Sequence, residues 1–153
     1  MTHWRELEDT PTFKYGKEIE QKAQLAIQQL HNVSVILEQT KQNYKNVLFD
    51  FQTSDHITYE VKADRRSAET GNFFIEFDGY GKPSGLNITT ANRHIITYKT
   101  NFYMVETSKI KELMHRNTYR KTQTLDKYGK TFGALLPVRD IEPFAIIFPI
   151  NDS

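Results

Sequence analysis

Apolar residues recur at helical spacing in one early stretch. Ile19, Ala23, Ile27 and Leu30 follow one another every three or four positions after Gly16, which predicts a helix over roughly 16–31. Thr10-Pro11 closes a polar lead-in before it. Past residue 31 the pattern shortens. Val33 to Leu37 is a brief apolar run rich in β-branched residues and predicts a strand. Val47–Gln52 and Ile57–Asp64 predict two clearer strands, separated by the turn-like cluster Thr53-Ser54-Asp55-His56. Phe73–Phe77 predicts a fourth strand, and the stretch 78–85 a long loop.

Farther along, Asn87–Arg93 predicts a short helix, and His94–Tyr98 and Phe102–Glu106 predict strands. Ser108 is a suitable N-cap for a helix through roughly Met114, with Ile110, Leu113 and Met114 on its apolar side. Residues 116–131 are polar and basic and read as a mobile loop. Gly133–Val138 and Phe144–Phe148 read as closing strands, which Pro137, Pro143 and Pro149 confine to edges or ends. With no repeats and no linker-like tract, the order fits one α+β domain over 1–153, or α/β with a mixed sheet.

Composition narrows the class without naming a function. At 153 residues, with 38% hydrophobic and 25% charged residues, the chain is large enough for one core and reads as globular. No run reaches the ~20 apolar residues of a membrane span, and Met1-Thr2-His3-Trp4-Arg5 has no signal-peptide core, so the expected compartment is the cytoplasm. The absence of cysteine excludes disulfides, thiolate zinc sites and cysteine nucleophiles. The five histidines, His3, His31, His56, His94 and His115, have no metal-ligand spacing and read as surface or turn residues. Gly79-Tyr80-Gly81-Lys82-Pro83-Ser84-Gly85 lacks the order of a phosphate loop, and the acceptor-like Asn32-Val33-Ser34 and Asn87-Ile88-Thr89 carry no meaning without secretion.

The net charge of +1 conceals a split. Residues 1–78 carry nine Lys/Arg against thirteen Asp/Glu, a balance of −4. Residues 79–130 carry ten against three, or +7, and residues 131–153 one against three, or −2. An acidic region followed by a basic one suggests separate tasks for each.

The chemistry concentrates in the hairpin. Odd positions Val47, Phe49, Phe51, Ile57, Tyr59, Val61 and Ala63 are apolar, and even positions Asp50, Gln52, Thr58, Glu60, Lys62 and Asp64 are polar, with Leu48 as the exception. An antiparallel register with an even sum places Asp50 opposite Glu60 and Leu48 opposite Lys62. Two carboxylates ~5 Å apart, beside an ammonium, suit Mg²⁺, which binds one or two carboxylates together with waters and phosphate oxygens. Lys62 would orient a water or stabilise phosphorane charge. A solvated amphipathic hairpin accounts for the same pattern without chemistry.

In order and type these residues resemble the PD-(D/E)xK nucleases, which include restriction endonucleases, Holliday junction resolvases and many phage nucleases. The resemblance is carried by Gly16-Lys17-Glu18-Ile19-Glu20 on the helix, Asp50 on one strand and Glu60-Val61-Lys62 on the next. Tyr59–Asp64 followed by Thr70-Gly71-Asn72-Phe73-Phe74-Ile75-Glu76 looks like small phage-type members, as do Gly81–Gly85 and Thr89-Thr90. The match covers roughly residues 15–115 and departs at Phe49, where the family name has proline.

The resemblance implies a restriction-endonuclease-like core, a mixed central sheet flanked by helices. It implies Mg²⁺, with Mn²⁺ substituting, held by Asp50, Glu60 and the Val61 carbonyl. Lys62 would be the catalytic lysine, and a helical acid would complete the site, Glu20 preferred and Glu18 the alternative. Asp55 is the rival to Asp50, placed in the turn. DNA is the implied partner, a homodimer the implied assembly, and a bacterial or phage-infected cell the implied setting.

Arg65 and Arg66, just beyond the hairpin, are placed to hold a scissile strand. Lys82, Ser84, Thr89 and Thr90 fit phosphate contacts, or ordinary loop roles equally well. Arg93, Lys99, Lys109, Lys111, Arg116, Arg120, Lys121, Lys127 and Lys130, interleaved with Tyr98, Tyr119 and Tyr128, fit a backbone-tracking surface. The expected function is a metal-dependent DNA endonuclease. A non-catalytic nucleic-acid-binding module on the same fold is the alternative. A carbohydrate hydrolase with paired carboxylates ranks below both, since it leaves Lys62 and the basic segment unexplained.

Overall fold

The structure is a computed structural model and describes residues 11–126 and 129–151. Helix α1 (Pro11–His31) begins at a proline, whose missing N–H costs nothing in a first turn, and Asn32 follows it with a left-handed φ of 53°. Strands β1 (Val35–Glu38), β2 (Phe51–Thr53) and β3 (Thr58–Lys62) follow. Helix α2 (Ser67–Thr70) leads to β4 (Asn72–Gly79) and the short β5 (Lys82–Pro83). A 3-10 turn (Gly85–Asn87) precedes β6 (Arg93–Tyr98), β7 (Asn101–Glu106) and helix α3 (Thr107–Arg116). Strands β8 (Lys121–Asp126) and β9 (Gly129–Pro137), helix α4 (Val138–Ile141), a second 3-10 turn (Glu142–Phe144) and β10 (Ile146–Pro149) complete the chain.

The class is mixed α+β. The central sheet has order β1-β2-β3-β6-β7-β10, and the β3–β6 pair is parallel while the other pairings are antiparallel. A second, antiparallel sheet has order β5-β4-β9-β8. Helix α1 lays Ile19, Ala23 and Ile27 against Phe51, Tyr59, Ile95, Phe102 and Met104, on one face of the central sheet. Ile96, Tyr103 and Val105 bury the other face against Phe73, Ile75 and Leu136 of the second sheet and Ile110 of α3. Each such aliphatic or aromatic side chain, fully buried, contributes roughly 1.5–3 kcal/mol of transfer free energy. Among the described residues no helix is long and apolar enough to cross a membrane.

Several expectations are corrected. The predicted strand from Val47 begins only at Phe51, because residues 41–46 form turns fastened by bonds such as Val47 N–H to the Asn43 carbonyl (3.0 Å). The expected loop 78–85 is a tight hairpin, with Tyr80 and Gly81 both at positive φ (54° and 81°), the geometry that matches strand twist. The helix expected over Asn87–Arg93 is absent: a 3-10 turn (Gly85–Asn87) ends where it was to begin, irregular chain follows, and Arg93 opens β6. The helix assigned a Ser108 cap starts at Thr107, with Glu106 in the cap position. The expected loop 116–131 is the β8–β9 hairpin, whose polar Thr-rich strands lack the apolar alternation of a half-buried sheet. Lys127 and Tyr128 lie outside the described residues.

Candidate active site

The β2–β3 hairpin has the expected register. Phe51 pairs with Tyr59 and Gln52 with Thr58, across a turn closed by the Thr53 N–H donating to the Ile57 carbonyl. Asp50 lies one residue ahead of β2 and is nevertheless pinned on both sides. Its N–H donates to the Tyr59 carbonyl (2.8 Å), and its carbonyl accepts from the Gln39 N–H (2.9 Å). Its carboxylate accepts the Val61 N–H at 2.6 Å. Since N–H and C=O of one strand residue point the same way, the Val61 carbonyl faces the Asp50 side as well.

Asp50 and Glu60 therefore come to adjoining positions, but Leu48 does not oppose Lys62. The chain has already left the sheet, and the Leu48 carbonyl accepts from the Thr90 N–H (3.0 Å) and the Thr89 hydroxyl (3.2 Å). Thr89 also donates to Glu60 Oε1 (3.2 Å), while Lys62 Nζ stands 3.5 Å from Glu60 Oε2. Glu60 and Lys62 pair with His94 and Ile96 of the parallel neighbour, which aims both toward the layer of the second sheet.

Helix α1 supplies Glu20. Its position one turn before Ala23 places it at the margin of the apolar stripe, where it is buried and takes a 3.2 Å contact from Lys17 Nζ. Glu18 points outward and pairs with Lys22 (3.6 Å). Asp55 sits exposed in the hairpin turn, and the Thr53 hydroxyl it accepts holds its carboxyl below the usual range.

The electrostatics follow from burial of like charges. Burial, then the charge of Glu20, pushes the Asp50 carboxyl up to about 6 despite the Val61 N–H and Lys62. Burial, then Asp50, pushes Glu60 up to about 7 against the opposing pull of Lys62 and Thr89. Burial also raises Glu20, Lys17 opposes the rise, and Glu38 and Glu60 add to it. Burial disfavours the Lys62 ammonium, but Glu60, Glu76 and Asp50 outweigh it and hold its pKa above the ordinary lysine value.

The residues expected to meet nucleic acid are dispersed. Arg65 stacks its guanidinium over the Tyr15 ring of α1 at 4.3 Å. Arg66 is exposed, and its backbone N–H donates to Asp64 (3.1 Å) at the start of α2. Lys82 is exposed on β5, whereas Ser84 donates to Glu76 (2.7 Å). Arg93 stands at the opposite end of the β3–β6 pair from Lys62, bonded to Glu106 (3.4 Å) and to the Tyr59 hydroxyl (3.2 Å). Lys109 lies over the Phe144 ring and beside Glu112, and Arg116 also pairs with Glu112. Lys121 and Lys130 are exposed on the β8–β9 hairpin.

Two side chains near the site escaped the sequence reading. His94 is buried beside Glu60, its Nδ1 2.8 Å from the Thr107 hydroxyl, and burial followed by Lys62 pushes its pKa down to about 3. It is a neutral core histidine, not the surface residue expected. Glu76, on β4, interacts with Lys62 from the second sheet. Its signal was its place among the apolar residues of Phe73–Phe77, where a lone carboxylate needs a partner.

Mg²⁺ fits this donor set. Three carboxylates on separate elements raise one another's pKa, and a divalent cation relieves that repulsion. Among the described residues no three carboxylate or imidazole groups come together closely enough to hold a metal ion between them. Mg²⁺ does not require three, since it retains several waters and takes one or two carboxylates.

No protein-family model matches the chain, and neither a curated protein nor a solved structure matches it.

Proposed function

We propose that the chain is a metal-dependent DNA endonuclease acting by a PD-(D/E)xK mechanism on a restriction-endonuclease-like core. The observation that carries this is the meeting of Asp50, Glu60 and Lys62 at the open end of the β2–β3 hairpin, with Glu20 close enough to raise the Asp50 pKa. Asp50, Glu60 and the Val61 carbonyl would hold Mg²⁺ or Mn²⁺. When bound, the ion supplies an acidified water and neutralises charge on the scissile phosphate.

The residues of the chain do the rest. Lys62 keeps its proton in the presence of three carboxylates and so presents a cation to the attacking water and to the charge that develops on phosphorus. Thr89 fixes the Glu60 carboxylate, and the Val61 N–H fixes that of Asp50, so both oxygens sets are oriented before substrate arrives. Water adds to phosphorus, one P–O ester bond breaks, and the departing oxygen takes up a proton, with no covalent enzyme intermediate. Exposed Lys82, Lys121 and Lys130 provide sequence-independent contacts to the DNA backbone.

The test is nicking of supercoiled DNA with Mg²⁺ or Mn²⁺ by the wild type, Glu60→Gln and Lys62→Ala. Cleavage by the wild type alone is expected. Equal rates in all three would remove the mechanism. Salt-sensitive DNA binding with no metal-dependent cleavage would favour a binding module instead.

A further inference from the structure

We propose that Arg65, steadied on the ring of Tyr15, binds a DNA backbone phosphate next to the one attacked, with Tyr15 as the residue that positions the guanidinium. This rests on the reading of the acidic site as a nuclease that receives DNA.

The acids alone would repel such a substrate. Glu20, Asp50 and Glu60 already raise one another's pKa, and an approaching phosphodiester adds further negative charge. A bound metal offsets this at the phosphate it touches. The next phosphate along the strand needs a cation of the chain itself, held close by and not already paired.

Arg65 meets these conditions. It follows Lys62 by three residues, so it leaves β3 at the end where the acids lie. Its guanidinium carbon stands over the Tyr15 ring, 4.3 Å from the centre. Tyr15 is half-buried at the start of the apolar stripe of α1 and packs on the core cluster that also takes in Val61 and Ala63. Five residues, or ~7.5 Å of helix axis, separate it from Glu20. The two elements that bring Glu20 toward Asp50 and Glu60 therefore also bring Tyr15 under Arg65, near the attacked phosphate but not on it.

The backbone at Arg65 is held on both sides. The Asp64 N–H donates to the Thr97 hydroxyl (2.8 Å), and the Arg66 and Ser67 N–H groups donate to Asp64 Oδ1 (3.1 and 3.0 Å). Asp64 Oδ2 takes the Phe74 N–H (2.9 Å), so both oxygens of the adjacent carboxylate are turned to backbone. Among the described residues the exposed Arg65 side chain forms no ion pair and donates no hydrogen bond. The ring engages the face of the guanidinium and leaves its N–H edges open, the fork that matches two phosphate oxygens. It also restrains a side chain that would otherwise lose more rotamer freedom on binding. Arg93, which lies near the Tyr59 ring at 5.9 Å, is different: its donors go to Glu106 and to the Tyr59 hydroxyl.

The full chain is tested for binding of a labelled DNA duplex in Ca²⁺, then for cleavage in Mn²⁺. The variants are Arg65→Ala, Arg65→Lys, Tyr15→Leu, Tyr15→Phe and Arg139→Ala, the last an exposed arginine on α4. Arg65→Ala is expected to bind ~10-fold more weakly and to lower the slope of log K against log salt by about 1. Arg65→Lys keeps the charge without the fork, so its slope should match the wild type while affinity falls ~3-fold. Tyr15→Leu should also lose ~3-fold at unchanged slope, and Tyr15→Phe and Arg139→Ala should bind as the wild type does. In cleavage, Arg65→Ala should raise KM and leave kcat unchanged, because a neighbouring phosphate is gripped equally in ground and transition states.

Wild-type affinity in Arg65→Ala overturns the proposal, as does an equal loss in Arg139→Ala or a fall in kcat at unchanged KM. Wild-type affinity in Tyr15→Leu, or equal losses in Tyr15→Leu and Tyr15→Phe, overturns the role of the ring. If Tyr15→Leu does not fold, Arg65→Lys and Tyr15→Phe decide. Binding that depends on Arg65 in a wild type that cleaves nothing overturns the nuclease reading and keeps the phosphate site.

Discussion

The carboxylate of Asp50 accepts the backbone N–H of Val61 at 2.6 Å, so the loop before β2 is tied to β3 through a side chain where the ladder has ended. The bond serves position and leaves charge as a liability, because Glu20 and Glu60 crowd the same carboxylate.

Asp50→Asn separates the two effects. The amide oxygen still accepts the Val61 N–H, while the repelled charge is removed. The metal-free variant is expected to be about 1–3 kcal/mol more stable at pH 8 than the wild type, by denaturant unfolding in EDTA. Its Mn²⁺ affinity should fall at least ~10-fold by calorimetry. A variant that is less stable and binds Mn²⁺ normally would show that the carboxylate is purely structural.

Stability against pH carries two opposed signatures. Asp50 and Glu60 titrate near 6 and 7 when folded, above their unfolded values of about 4, so their contribution is present below pH ~4 and is lost as pH rises through 7. His94 has the reverse sign. It stays neutral down to about 3 when folded, so its contribution holds above pH ~6.5 and fades as pH falls toward 3. The wild type in EDTA should lose carboxylate stabilisation between pH 4.5 and 7, and Mg²⁺ should raise Tm more at pH 8 than at pH 5. Asp50→Asn/Glu60→Gln should lose most of the carboxylate branch, so that the histidine branch dominates and stability weakens from pH ~6.5 to ~4.5. Histidine ring NMR of the wild type, with no titration of His94 across pH 5–8, checks the assignment.

Thr89 holds both Glu60 and the Leu48 carbonyl with one hydroxyl. Thr89→Val keeps the shape and removes the hydroxyl, at a cost of about 1–2 kcal/mol. Mn²⁺ affinity should drop by ~10-fold and recover in Thr89→Ser. Unchanged affinity in Thr89→Val would mean Glu60 needs no such support.

Lys121 and Lys130 stand exposed on the β8–β9 hairpin, away from the carboxylates by sequence and by sheet. Replacing both with Gln should weaken DNA binding and lower the slope of log K against log salt by about 2. Cleavage at saturating DNA should be unaffected. An unaltered slope would place the DNA elsewhere.

Much of this arrangement could be read from the residues themselves. Strict alternation in Ile57–Asp64, with a turn cluster before it, fixed the Asp50–Glu60 register, because a slip by one would bury Glu60 and Lys62 among Ile95 and Met104. The spacing Ile19, Ala23, Ile27 placed Glu20 at the border of the buried stripe. The β8–β9 hairpin was illegible for a physical reason. Its outer strand is solvated on both faces, so side chains such as Thr122, Gln123 and Thr124 carry no period. His94 was misjudged because a histidine's burial depends on a partner such as Thr107, thirteen residues away. Glu76 was missed although a lone carboxylate among the apolar residues of Phe73–Phe77 signals a partner, because that partner, Ser84, lies beyond the following hairpin.

The parallel pairing of β3 with β6 obliges the chain to make a crossover before it can return to the same sheet. That crossover contains Glu76, Ser84 and Thr89, so the connector and the support of the site are one piece of chain. The hairpin bearing Asp50 and Glu60 closes locally, whereas Thr89 reaches Glu60 from 29 residues downstream. Loop-closure entropy therefore favours the pairing of the hairpin that brings the acids together over the longer-range restraint by Thr89. A chain stopped before residue 89 during synthesis would carry the acidic pair without this restraint on Glu60, which is complete only when the crossover has closed.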